Sequence, residues 1–130
     1  MVIDTSALVA IVLDEPERHS FDSAIAYASR RLLSATNLTE ARIVLLCRKG
    51  EAAVQVLDSF VVRAGIEVCT VTTDEANLAF DAYRRYGKGI HPAGLNFGDC
   101  FAYALSKSSG EPLLFKGGDF ALTDVVPVTP

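Results

Sequence analysis

Asp4 closes the apolar run Met1-Val2-Ile3 and stands directly before Thr5-Ser6. Glu40, Asp99 and Asp119 each follow a strand-like segment where a helix or loop begins. In an α/β protein such strand ends converge at one edge of the sheet. Four carboxylates meeting there repel one another unless a cation lies between them. An all-oxygen donor set suits Mg²⁺ or Mn²⁺, with room for one or two ions. The chemistry this points to is metal-dependent phosphoryl transfer.

Each acid also has a local explanation. Asn37-x-x-Glu40 and Asn96-x-x-Asp99 have the spacing of a capping box, in which the third helical residue reaches back to the cap. Asp4 can cap the helix behind it, and Asp119 follows the turn Gly117-Gly118. Thr72-x-x-Glu75 has the same spacing and is assigned capping alone. Context separates the others from it. Asp4 ends a nearly all-apolar strand, and Asp99 lies between Phe97 and Phe101 on an otherwise apolar helix. A carboxylate facing such an interior requires a cation. Helix N-termini add positive dipole at Glu40 and Asp99.

Other chemistries fit less well. The two histidines, His19 and His91, accompany no G-x-S-x-G elbow. Gly87-Lys88-Gly89 is followed by Ile90, where a P-loop needs Lys before Ser or Thr. Cys47, Cys69 and Cys100 lack zinc-ligand spacing and read as buried apolar residues of a cytoplasmic protein.

The positioning elements follow from periodicity. At 130 residues the chain is expected to be one domain, 1–130. Half its residues are hydrophobic and 22% are charged, which specifies a packed globule. Strands are expected at Val2-Ile3, 32–35, 66–71, 112–115 and Val125-Val126. Helices are expected at 7–13, from Glu15-Pro16-Glu17 to Arg30-Arg31, and at 37–48, 52–64, 72–86 and 96–108, with a loop at 87–95. Alternating strands and helices imply an α/β fold, a mostly parallel central sheet flanked by helices on both faces. No basic-then-apolar leader opens the chain, and no apolar run approaches the ~20 residues of a membrane span. The net charge of −4 argues mildly against nucleic acid, unless metal neutralises the acids.

The segments Met1 to Leu8 with Asp4-Thr5-Ser6, Thr39-Glu40-Ala41-Arg42, Leu95-Asn96-Phe97-Gly98-Asp99-Cys100 and Leu114-Phe115-Lys116-Gly117-Gly118-Asp119-Phe120 resemble, in order, the PIN domain. More closely they resemble the VapC-type ribonuclease toxins of bacterial toxin–antitoxin pairs. The resemblance implies a Mg²⁺- or Mn²⁺-dependent endoribonuclease whose acids are Asp4, Glu40, Asp99 and Asp119, supported by the hydroxyl of Thr5 or Ser6. It implies an RNA substrate, tRNA among the candidates, a small cognate antitoxin and a homodimer. Gly118 departs from the pattern, which often has Asn or Asp before the last aspartate, so the fourth acid lies open between Asp119 and Asp124. Arg42, Lys88 and Lys116 are candidates for flanking phosphates. The apolar residues of helix 52–64, Val54 and Phe60 among them, serve either the core or a partner. A phosphoacceptor signalling domain, with Lys116 as its late lysine, and a non-catalytic binding module are the competing readings.

Overall fold

The computed structural model describes residues 1–129; Pro130, the last residue of the expected domain, lies outside them. Four short strands form one all-parallel sheet: β1 (Val2–Ile3), β2 (Leu32–Ser34), β3 (Glu67–Cys69) and β4 (Leu113–Leu114). Their order is β3-β2-β1-β4. The chain runs outward from β1 through β2 to β3, then returns to the other side of β1 as β4. The direction therefore switches between β1 and β4, where an open parallel sheet has its crevice.

Adjacent strand residues point to opposite faces, and both faces are covered. Ile3, Leu33 and Leu114 join the core beneath helices α1 (Thr5–Val12), α2 (Arg18–Tyr27), α3 (Ala35–Lys49) and α4 (Glu51–Arg63). Val2, Leu32 and Leu113 join a second core beneath α5 (Thr73–Tyr86) and α6 (Phe97–Ser109). The nearly continuous apolar stretch of α1, with Ala7, Leu8, Val9, Ala10 and Ile11 all buried, makes it the innermost helix. No helix among the described residues is long and apolar enough to cross a membrane.

Several boundaries differ from the sequence expectation. Helix α3 begins two residues before Asn37, because Ser34 accepts from the Thr36 N–H and serves as the cap. The Asn37–Glu40 capping box is therefore not formed. Helix α2 begins after Glu15-Pro16-Glu17 and ends before Arg30-Arg31. Arg31 nevertheless caps it: the guanidinium donates to the carbonyls of Ile25 (2.6 Å) and Ala26 (3.0 Å), and also to Ala64 (3.0 Å) beyond α4. Val125-Val126 forms no strand; one parallel bridge joins Leu113 to Pro127 instead. Proline has no N–H to extend the ladder. Of the three cysteines only Cys100 is buried, and Cys47 is exposed on α3.

Candidate active site

Asp4 leaves the C-terminal end of β1 as the N-cap of α1. Its N–H donates to the Leu114 carbonyl at 2.9 Å, fixing it at the switch point. Its Oδ2 accepts from the Ser6 N–H (2.9 Å) and the Ser6 hydroxyl (2.6 Å). The Ser6 hydroxyl in turn accepts from the Lys116 N–H at 2.9 Å, tying the segment after β4 to the same carboxylate. Asp4 is only 2% exposed, and its Oδ1 has no hydrogen-bond partner among the described residues.

Asp99 arrives from the opposite layer. Asn96 caps α6, and the two residues form a complete capping box: Asp99 N–H donates to Asn96 Oδ1 (2.8 Å), and Asn96 N–H to Asp99 Oδ2 (3.0 Å). The local reading of Asp99 is thus correct, and it leaves the other carboxylate oxygen outside the box. Glu40 enters from the second turn of α3. A Cβ built on Gly98 would collide with the Glu40 carboxylate, so glycine is what lets that carboxylate lie against the first turn of α6.

A buried amide fixes that approach. Asn37, fully buried in α3, donates to the Gly98 carbonyl (3.0 Å) and to the Thr5 hydroxyl (3.2 Å). Thr5 Oγ1 donates back to the Asn37 carbonyl at 3.3 Å. The two hydroxyls expected to support the site therefore divide the work. Ser6 holds the carboxylate, whereas Thr5 holds the scaffold that brings α1, α3 and α6 together. Sequence reasoning took Asn37 for a cap; its signal was a polar side chain on the inward face of α3, one turn before Ala41 and two before Leu45.

These residues open on a cleft of about 460 Å³ lined by Asp4, Ser6, Glu40, Arg48, Asp99 and Lys116, among others. Burial pushes the Asp4 carboxyl up to about 6, against the Ser6 hydrogen bonds that favour its charged form; Glu40 adds to the rise. Burial likewise raises Asp99 to about 7, opposed by the Asn96 N–H and reinforced by the charges of Asp4, Glu40 and Asp119. Asp119 is exposed and stands outside the cleft lining, although its charge reaches Asp99.

Asp124 stands apart from the cleft lining, and neighbouring side chains take up its carboxylate. It accepts from the Tyr103 hydroxyl (2.6 Å) and pairs with Lys107 (3.0 Å) and Arg85 (3.5 Å). Burial would raise its carboxyl, but these donors outweigh it and hold it below the usual range. The expected phosphate-binding cations are partly engaged elsewhere: Arg42 pairs with Asp58 at 2.9 Å, and Lys116 with Glu15 (3.0 Å) and Glu17 (3.3 Å). Arg48, which sequence reasoning passed over, lines the cleft and makes no ion pair among the described residues.

The donor set fits a hard divalent cation: carboxylates dominate, charges are mutually repulsive, and one buried oxygen of Asp4 is orphaned. No three acidic, histidine or cysteine side chains among the described residues are already drawn together as a ready-made metal site.

The PIN-domain family model matches residues 1–126. The chain is 52% identical over 128 residues to Ribonuclease VapC of Mycolicibacterium smegmatis, covering 98% of this chain and 99% of the relative. In fold it is similar to the crystal structure of Mycobacterium tuberculosis VapC20, described as a sarcin-ricin-loop-cleaving toxin (TM-score 0.81, 21% identity, 99% and 98% covered). It is also similar to a chain of a toxin–antitoxin complex from Klebsiella pneumoniae (TM-score 0.71, 16% identity, 98% and 95% covered).

Proposed function

The chain belongs to the VapC ribonucleases of the PIN-domain family and is an endoribonuclease of the toxin type; from that premise we propose that the cleft around Asp4, Glu40 and Asp99 hydrolyses RNA phosphodiesters with a divalent cation, Mg²⁺ or in its place Mn²⁺. The observation that carries this reading is the buried, half-unpartnered Asp4 carboxylate at the sheet's switch point, facing a second raised carboxyl from another layer. Neither signalling nor passive binding accounts for that pairing, and the family match sets both competing readings aside.

Asp4, Glu40 and Asp99 would hold the cation, with Asp119 at the rim. When bound, a divalent cation supplies positive charge to the scissile phosphate and acidifies water for attack. The protein's own contribution is positional. Ser6 keeps Asp4 oriented, the Asn96–Asp99 box fixes the carboxylate of α6, and the Thr5–Asn37–Gly98 network sets how far α3 stands from α6. Arg48, exposed on the same cleft, is placed to hold a flanking phosphate.

The partners proposed with this function are RNA, tRNA among the candidates, in the cytoplasm, a small cognate antitoxin, and a second copy of the chain. The α4 surface open to a protein partner differs from the expected one. Ala53, Leu57 and Val61 are buried, and Val54 and Phe60 pack partly against the core. Val56 and Val62 are the large apolar residues it exposes, 49% and 79%.

The test is end-mapping of RNA fragments after incubation with Mg²⁺. Wild type is expected to leave discrete new ends, and Asp99→Asn none. Equal cleavage by both proteins would overturn the assignment.

A further inference from the structure

Beside the acidic cleft lies a second, apolar hollow of about 420 Å³ lined by Thr36, Thr39, Glu40, Ile43, Val44 and Phe97. Glu40 and Val44 line both spaces, so the two are contiguous across one helical turn of α3. Phe97 is 72% exposed and Ile43 is 56% exposed. Neither is part of the buried cores. Phe97, at the first position of α6 and two residues from Asp99, and Ile43 of α3 thus leave apolar surface on both sides of one hollow, and it is such shared exposure rather than a single exposed ring that marks a binding surface.

We infer that this hollow receives one unpaired base of the RNA, with Phe97 as the stacking platform, next to the phosphate held at the acids. The inference rests on the proposed nuclease reading and specifies how that site takes its substrate. Three observations favour a nucleobase as occupant. The hollow is contiguous with the cleft assigned to the scissile phosphate, and in a nucleotide the base lies one sugar away from its phosphate. Phe97 is braced rather than loose: its ring sits 4.9 Å from that of Phe101, inclined at 62°, which fixes the plane it offers. The charge distribution also separates the two ends of a nucleotide. Among the described residues no cation lines the hollow, and Glu40 at its border repels phosphate, whereas Arg48 lies on the cleft side. Flat, neutral and polarisable groups suit such a surface, and single-stranded RNA is read by stacking bases on aromatic side chains. The volume is sufficient, since pockets of about 300–1,000 Å³ enclose ligands larger than a base.

Rates of cleavage of total bacterial RNA, measured against RNA concentration with Mg²⁺ and followed by end-mapping, test the assignment. Phe97→Leu is expected to raise KM roughly tenfold, the loss of one base–aromatic stack, with kcat nearly unchanged. Its base preference beside the cut is expected to flatten. Phe97→Tyr restores stacking and is expected to behave as wild type. Ile43→Ser, on the opposite wall, is expected to raise KM less. Thermal melts of all three should match wild type, because these side chains are exposed. Unchanged KM and cut-site distribution in Phe97→Leu, with Asp99→Asn inactive, would overturn the base subsite and leave the nuclease intact. That holds equally if Phe97→Leu instead loses binding of a co-expressed antitoxin, which would assign the hollow to protein. If wild type leaves total RNA intact, the nuclease reading falls and the subsite with it.

Discussion

Asp4 and Asp124 are both carboxylates tied to neighbouring hydroxyls, yet their surroundings drive them in opposite directions. Asp124 is met by Tyr103, Lys107 and Arg85 and is held below its ordinary pKa. Asp4 is met by no cation among the described residues, accepts from Ser6, faces other acids and is raised to about 6. Side chains of this chain satisfy the first. The second keeps an oxygen without a partner among the described residues, and such unmet demand is what marks a candidate site. Sequence position alone left Asp124 and Asp119 open as the fourth acid; the cations around Asp124 are the reason we propose Asp119 for that place.

The sharpest way to break the contrast is to remove charge from each place in turn. Asp4→Asn, Glu40→Gln and Asp99→Asn are each expected to reduce RNA cleavage by on the order of 10²–10⁴, with circular dichroism unchanged. Pairs of these variants should be little worse than the singles, since the acids act as one unit. Asp119→Asn should cost less, because that side chain is exposed at the rim. Asp124→Asn should leave cleavage rates near wild type. If Asp124→Asn is as inactive as Asp99→Asn, the distinction between the two places is wrong.

Gly98→Ala probes geometry without touching charge. The added methyl meets the Glu40 carboxylate, so α3 and α6 must part or Glu40 must swing away. A displacement of about 1 Å at a reacting centre can cost roughly a hundredfold, and a loss of that order in kcat is expected with the fold retained. Full activity would show that Glu40 need not sit where the structure places it.

Stability should separate the two places with opposite signs. With chelator present, Asp99→Asn is expected to melt a few degrees above wild type, because the amide can keep the cap while removing a repelling charge. Raised carboxyls make ionisation costly in the folded state. The metal-free wild type should therefore lose stability as pH rises from about 4 to about 7, the interval between the unfolded value and the raised one. Mn²⁺ should raise the melting temperature of wild type by mass action and that of Asp99→Asn much less. Chelated Asp99→Asn melting well below wild type would make Asp99 a cap and nothing more.

The smallest effect is expected at the paired site. Asp124→Asn should lower the melting temperature by a few degrees at neutral pH. Partly exposed ion pairs contribute about 1 kcal/mol or less each, and the Tyr103 hydrogen bond a similar amount. Its lowered pKa gives the reverse pH sign: this contribution is present above the ordinary carboxylate range and fades as pH falls through the lowered value. Melts from pH 3 to pH 8, about the range where carboxylates and histidines titrate, display both signs in one series.

Most strands and helices were legible because their signals are local, whereas Val125-Val126, which forms no strand, was not. An apolar pair before Asp4, glycines after α3 and α4, and the Asn96–Asp99 spacing each act within a few residues. Asp4 and Asp99 were legible as boundary residues for the same reason, since each sits at the start of a helix that periodicity reveals, and the order of the motifs carried the family resemblance. Only the tertiary structure decided which charges are compensated. Asp124 meets Arg85 from α5 and two residues of α6, and Lys116 meets Glu15 and Glu17 across the sheet edge. Asn37 was misread because its partners, Thr5 and Gly98, lie 32 and 61 residues away and outcompete the local cap that Ser34 already supplies. Capping is set by the chain's own next turn, whereas hydrogen bonds and Coulomb forces act between groups that only the folded chain makes neighbours.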